Sequence, residues 1–143
     1  MELKPEMFKN FLPLPITLIT TVDQKGIPNA APYSCVMPIL RPLDLIAIAS
    51  ALPHDTLKNI RHTKEFVVNV MGNPSFRETI KCAREYPPEK NELVEVDIET
   101  TSSKKVSPPR VKDAIGWIET RMEKEITGDN YSLIIGKVLF SEI

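Results

Sequence analysis

The run Ser50-Ala-Leu-Pro-His-Asp-Thr-Leu-Lys-Asn-Ile-Arg-His-Thr-Lys64 gathers groups suited to holding an anion. It reads as the end of a strand, a tight proline loop and the start of a helix. The first N–H groups of a helix have no intrahelical acceptor, and the helix dipole is positive there, which suits a phosphate monoester. Between His54 and Lys64 the cations Lys58, Arg61 and Lys64 outnumber Asp55. Thr56 adds a hydroxyl, and His54 a further donor when protonated. A plainer reading uses the same residues: Asp55 or Thr56 caps the helix and the cations form a solvated face. For this segment alone the plainer reading prevails. A carboxylate beside a phosphate repels it, so the expected role of Asp55 is to fix the loop by accepting backbone N–H bonds.

A second cluster is Asn29-Ala-Ala-Pro-Tyr-Ser-Cys35. Proline cannot donate to a strand ladder, so this strand is an edge, is bulged, or turns its backbone toward something else. Ala30 and Ala31 allow close approach, and Asn29 and Ser34 supply donors and acceptors. Tyr33 offers a ring that either stacks on a flat heterocycle or faces the core. Alone, this stretch reads first as a structural edge strand. Cys35 beside it is expected to be a small buried core cysteine rather than a redox group. Trp117 is expected in the core or at a dimer interface.

Other chemistries find little support. A net charge of −1 and a pI of about 6.1 argue against nucleic-acid binding, which draws on a basic surface. No two glycines stand in a GxGxxG, and no Walker A loop occurs. His54 and His62 lack cysteine or carboxylate partners at ligand spacing, so no metal site is expected. No nucleophile elbow is visible. The longest stretch free of Asp, Glu, Lys and Arg, Gly26 to Leu40, is too short to cross a bilayer as a helix. The N-terminus alternates acids and bases and does not read as a signal peptide. Cys35 and Cys82 form no CxxC and are expected as reduced thiols in a cytoplasm.

The elements that must position these clusters follow from the hydrophobic pattern. Ile16 to Val22 reads as a strand, with Ile16, Leu18, Thr20 and Val22 on one face and Thr17, Ile19 and Thr21 on the other. Asp23 to Gly26 reads as a hairpin turn and Ile27 to Met37 as the returning strand. Leu45 to Ser50 reads as a strand buried on both faces. Thr56 to His62 reads as a helix with Leu57 and Ile60 inward, and Phe66 to Met71 as a strand. Ser75 and Glu78 have capping-box spacing, which predicts a helix over Ser75 to Glu85. The polar stretch from Tyr86 to Arg110 is expected to hold one short strand, Leu93 to Ile98. Ile115 to Ile126 and Tyr131 to Phe140 read as a closing hairpin. The expectation is a mainly β, antiparallel, Greek-key-like barrel with a few helices at its ends, one domain over residues 1–143.

Taken in order, the two clusters and their surroundings resemble the flavin reductase-like family with the FMN-binding split-barrel fold. The matching text is Pro15-Ile-Thr-Leu-Ile-Thr-Thr-Val-Asp, Gly26-Ile-Pro-Asn-Ala-Ala-Pro-Tyr-Ser, His54-Asp-Thr-Leu-Lys-Asn-Ile and Glu65-Phe-Val-Val-Asn69, with looser agreement over Val106 to Ala114 and Gly136-Lys-Val138. The resemblance implies FMN, less often FAD, in a groove shared by two subunits of a homodimer. It implies that Asn29, Ala31, Pro32, Tyr33, Ser34 and Cys35 border the isoalloxazine and ribityl chain, with Ser50 and Ala51 along the same flavin. His54, Asp55 and Thr56 would hold the phosphate. Relatives often carry Lys or Arg where this chain has His54, which would make phosphate binding pH-dependent. Many also run tens of residues beyond the closing hairpin, where tail residues finish the pocket or the dimer seam.

Many members take a hydride from NADH or NADPH. The acceptor is flavin N5, so no protein acid or base is needed and no catalytic residue is assigned. The leading expectation is an NAD(P)H-dependent flavin reductase or FMN-containing oxidoreductase. A non-enzymatic FMN-binding electron carrier between partner proteins is the alternative, and a cofactor-free interaction module the third reading.

Overall fold

The computed structural model describes residues 1–72, 76–84, 86–87 and 90–143, without the side chains of residues 76 and 78. A 3-10 helix, Pro5–Asn10, precedes the first strand and buries none of its residues. The strands β1 (Thr17–Val22), β2 (Pro28–Tyr33), β3 (Val36–Pro38), β4 (Leu45–Ala51), β5 (Glu65–Val70), β8 (Gly116–Thr127) and β9 (Tyr131–Glu142) form one antiparallel sheet, in the order β2-β1-β5-β8-β9-β4-β3. Two-residue strands β6 (Thr100–Thr101) and β7 (Arg110–Val111) pair separately. Three helices are described: α1 (Asp55–Thr63), α2 (Phe76–Lys81) and α3 (Glu92–Glu95). None is long and apolar enough to cross a membrane.

β1 is buried along its whole length. Its alternation sends Leu18 into one hydrophobic cluster, with Met71, Leu93 and Val111, and Ile19 into another, with Ile48, Leu57, Phe66 and Ile134. Leu57 and Ile60 of α1 enter the second cluster, as their spacing predicts. Gly26 closes the β1–β2 hairpin at φ +80°, a region glycine enters without steric cost. The Asp23 carboxylate accepts from the N–H groups of Lys25 and Ile27, both at 2.8 Å.

The returning strand is not continuous from Ile27 to Met37. It breaks at Ser34–Cys35, so β2 lies at one edge of the sheet and β3 at the other. Leu93 to Ile98 is not a strand: α3 occupies Glu92–Glu95, because the Asn91 side chain accepts from Leu93 N–H at 3.0 Å and starts a helical turn. The helix expected over Ser75 to Glu85 is shorter, α2 covering Phe76–Lys81 with turn and bend over Cys82 to Arg84, while Ser75, Glu85 and the proposed capping box lie outside the described residues.

Between β6 and β7 the chain crosses the sheet as a loop pinned by carboxylates. Glu119, fully buried on β8, accepts from the N–H groups of Lys104 (2.8 Å) and Lys105 (2.6 Å) and from Arg110 Nε (2.6 Å). Arg110 Nη2 lies 2.5 Å from the same carboxylate, in contact by charge rather than by an aligned hydrogen bond. Glu65 on β5 accepts from Ser107 N–H at 2.9 Å. Buried Asn69 on β5 donates to Leu18 O at 2.8 Å and accepts from Val111 N–H at 2.7 Å.

Candidate functional site

The break after β2 and the turn from β4 into α1 come together on one side of the sheet. An open cleft of about 510 Å³ is walled by Asn29, Ala31 and Pro32 of β2 and by His54 and Asp55 at the start of α1. A second, of about 230 Å³, is walled by Pro32, Tyr33, Ser34, Cys35, Ala51 and His54. Pro32 and His54 border both, so the two clefts adjoin. Of the residues expected around a ligand, only Ser50 and Thr56 line neither cleft. Both are buried, at 3% and 0% exposure.

Those two buried hydroxyls act through neighbours. Ser50 Oγ lies 2.8 Å from the Tyr33 hydroxyl. The Tyr33 ring packs against the core cluster around Ile48 and Leu57 and meets the His54 ring edge-on at 5.9 Å. Tyr33 therefore serves core and cleft together, and burial pushes its phenol above the ordinary value of 10.0. Thr56 Oγ1 donates to Asn29 Oδ1 at 3.1 Å. Asn29 Nδ2 in turn donates to Glu92 Oε1 at 2.7 Å, and Ala30 N–H donates to Glu92 Oε2 at 3.2 Å.

Several expectations need correction. The helix starts one residue earlier than the pattern suggests, so the N-cap is His54, with no side-chain cap bond. Asp55 and Thr56 fall inside the first turn, and the Thr56 hydroxyl is drawn to Asn29 instead of capping. None of the hydrogen bonds found in this loop goes to Asp55; its charge sits at the positive end of the helix. Cys35 is exposed rather than buried, because the chain leaves the sheet there. Of the expected cations, Arg61 is engaged by Glu125 at 2.7 Å. Lys64 ends the helix in the left-handed region at φ 65°. Neither lines the two clefts. Lys58 lines an adjoining cleft of about 330 Å³ that shares Asn29 and Asp55.

Sequence reasoning missed Glu92, Cys82, Arg84 and Tyr86, all of which line the larger cleft. Glu92 is only 7% exposed. Its one local signal was the Asn91 cap, hidden inside a stretch of Val and Ile that read as a strand.

The residues present fit a flavin mononucleotide in most respects. The first intrahelical bond of α1 runs from Lys58 N–H to His54 O, so the N–H groups of Asp55, Thr56 and Leu57 precede the ladder. Arg84 and His54 stand at the same cleft as donors, and Ala31, Pro32 and Pro53 give it an apolar wall. A planar, largely apolar ligand with an anionic tail requires these features. The carboxylates of Asp55 and Glu92, which line the same cleft, depart from them.

Residues 8–141 match the flavin reductase like domain. The chain belongs to the flavin reductase-like family. An uncharacterised protein of Methanothermobacter thermautotrophicus is 43% identical over 144 residues, spanning 96% of this chain and 68% of that one. The crystal structure of Pseudomonas fluorescens 2-nitrobenzoate 2-nitroreductase superposes with a TM-score of 0.86 at 27% identity, over 99% of this chain and 76% of that one. Flavoredoxin of Desulfovibrio vulgaris superposes with a TM-score of 0.88 at 16% identity, over 100% and 76%. The flavin reductase-like chain thus has the split-barrel fold, and its curled antiparallel sheet is the half barrel of that fold. As a family member it is a flavin-related oxidoreductase.

Proposed function

We propose that this chain binds FMN and works as an NAD(P)H-dependent flavin reductase, as a homodimer with the flavin at the subunit interface. The observation that carries the reading is the meeting of the β2 segment, Asn29 to Tyr33, with the turn His54-Asp55-Thr56 at one pair of adjoining clefts. Bound FMN would supply the redox chemistry, with N5 as hydride acceptor.

The chain's own part is binding and orientation. The α1 N–H groups and His54 take the phosphate, while Asp55 keeps the turn charged and polar. Thr56 fixes the Asn29 carboxamide. Ala31, Pro32 and Tyr33 form the wall for the ring and exclude water from one face, and Ser34, Cys35 and Ala51 border its far end. Ser50 holds Tyr33 through its hydroxyl. The openness of the smaller cleft toward Ser34 and Cys35 is the side a second subunit would cover.

The test is direct. Purified protein is titrated with FMN under quenching of flavin fluorescence, then mixed anaerobically with NADH or NADPH while flavin absorbance is followed. Binding and bleaching by one nucleotide support the reductase. Binding without bleaching by either supports an electron carrier, a reading that the flavoredoxin likeness at the level of fold keeps in the comparison. No binding of any flavin overturns both. Light scattering of the flavin-bound protein reports whether it is a dimer.

A further inference from the structure

Glu92 occupies donors that a ligand would otherwise meet. Its carboxylate bridges Asn29 Nδ2 at 2.7 Å and Ala30 N–H at 3.2 Å, 63 and 62 residues away in the chain. It is buried, yet it lines the larger cleft. The formal charges lining that cleft are unbalanced for an anionic ligand: Arg84 stands against the carboxylates of Asp55 and Glu92.

We propose that Glu92 is a specificity-determining residue of the flavin cleft, an internal anion on the donors of β2 that selects against the dianionic phosphate tail unless the carboxylate is neutralised. The proposal rests on the flavin reading above and deepens it. The groups facing Glu92 come from every element around it. Asn29 and Ala30 approach from β2, and His54 and Asp55 from the start of α1. Cys82, Arg84 and Tyr86 follow α2. On its own helix Glu95 is paired to Lys90 at 3.1 Å. Burial pushes the Glu92 carboxyl above 4.5, Asp55 adds to the push, and the Ala30 and Asn29 donors oppose it. Cys82 is pushed up to about 12 by burial and by Glu92, so it stays a neutral thiol. Neutralising Glu92 thus needs only a proton from solvent, which its raised carboxyl takes up more readily than a free one. FMN binding would then be coupled to proton uptake at Glu92, while riboflavin, without the phosphate, would not be.

The experiment compares wild type with Glu92→Gln, measuring dissociation constants for FMN and for riboflavin across pH. The phosphate's own ionisation is common to both proteins and cancels in the ratio. The expected result is FMN bound about tenfold more tightly by the variant near about pH 8, as one unit charge lining the same cleft as the phosphate implies. That ratio should fall toward one as pH is lowered and the carboxyl takes up its proton. The riboflavin ratio should stay near one throughout. Equal FMN affinity in both proteins at every pH, or weakening of FMN and riboflavin alike, overturns the proposal and makes Glu92 a structural brace. If wild type binds no flavin at all, the functional reading itself fails, and the proposal with it. Glu92→Met, of similar length and without charge, supplies the same comparison should the Gln variant not fold.

Discussion

Asn69 and Thr56 show what single buried polar side chains do here. Asn69 sits at 0% exposure and bridges Leu18 O and Val111 N–H, so it ties the loop before β8 to the sheet. Asn69→Leu keeps the volume and strands the buried Val111 N–H. It should lower unfolding free energy by about 2–4 kcal/mol, measured by urea denaturation. Thr56→Val leaves Asn29 Oδ1 with only the Thr21 hydroxyl at 3.5 Å. The expected loss is about 1–2 kcal/mol in the same assay, with weaker FMN binding because the Asn29 carboxamide loses its anchor. At this scale the sequence was legible by type and not by partner. Asn29 and Thr56 stood out as donors beside a strand and a helix start. That they bond to each other, and that Glu92 completes the chain, depends on contacts across 27 and 63 residues. No local pattern encodes such contacts.

Strands and helices were legible where propensity, period and punctuation agreed. The β-branched run of β1, the glycine turn after it and the closing hairpin of β8 and β9 all follow their local chemistry. α3 was not legible, because Val94, Val96 and Ile98 alternate like a strand while the Asn91 cap decides the geometry. Two predictions belong to elements. Lys64 closes α1 at φ 65°, where a side chain is strained, so Lys64→Gly should raise thermal stability, by about 0.5–1 kcal/mol. Glu119 gathers the N–H groups of Lys104 and Lys105 and the Arg110 guanidinium at a fully buried point. Glu119→Ala leaves the N–H groups of Lys104 and Lys105 without this acceptor and buried Arg110 with Glu142 alone, at 2.6 Å, and should cost about 3 kcal/mol, seen in the denaturation midpoint together with faster amide exchange at Lys104 and Lys105.

Across the whole molecule, the order of the long strands and of α1 was legible and sheet order was not. Periodicity says which segments are strands; it does not say that β5 lies between β1 and β8, or that β4 pairs with β9. Those neighbours are chosen by burial of two apolar clusters on opposite faces of β1. Global stability should also depend on pH in a definite direction. Glu65 is held below 4.5: burial raises it, but the Ser107 N–H and the Arg121 guanidinium outweigh that. Arg61 and the Ser132 hydroxyl hold Glu125 below the same value. Their contribution is present above pH 4.5 and is lost as pH falls through the lowered values. Glu92 acts with the opposite sign, contributing fully below 4.5 and losing it as pH rises through its raised value. Denaturation midpoints should therefore fall on acidification below about pH 4.5 in wild type, and less so in a Glu65→Gln, Glu125→Gln double variant. The two rims of the half barrel carry a last consequence. Along β2 the alternation turns Pro28, Ala30 and Pro32 outward; the prolines have no amide hydrogen, and that of Ala30 is taken by Glu92. β3 runs for three residues and ends at Pro38. Both rims are poor templates for a foreign strand, so edge-to-edge growth of copies of this chain into ribbons is disfavoured at either end of the sheet.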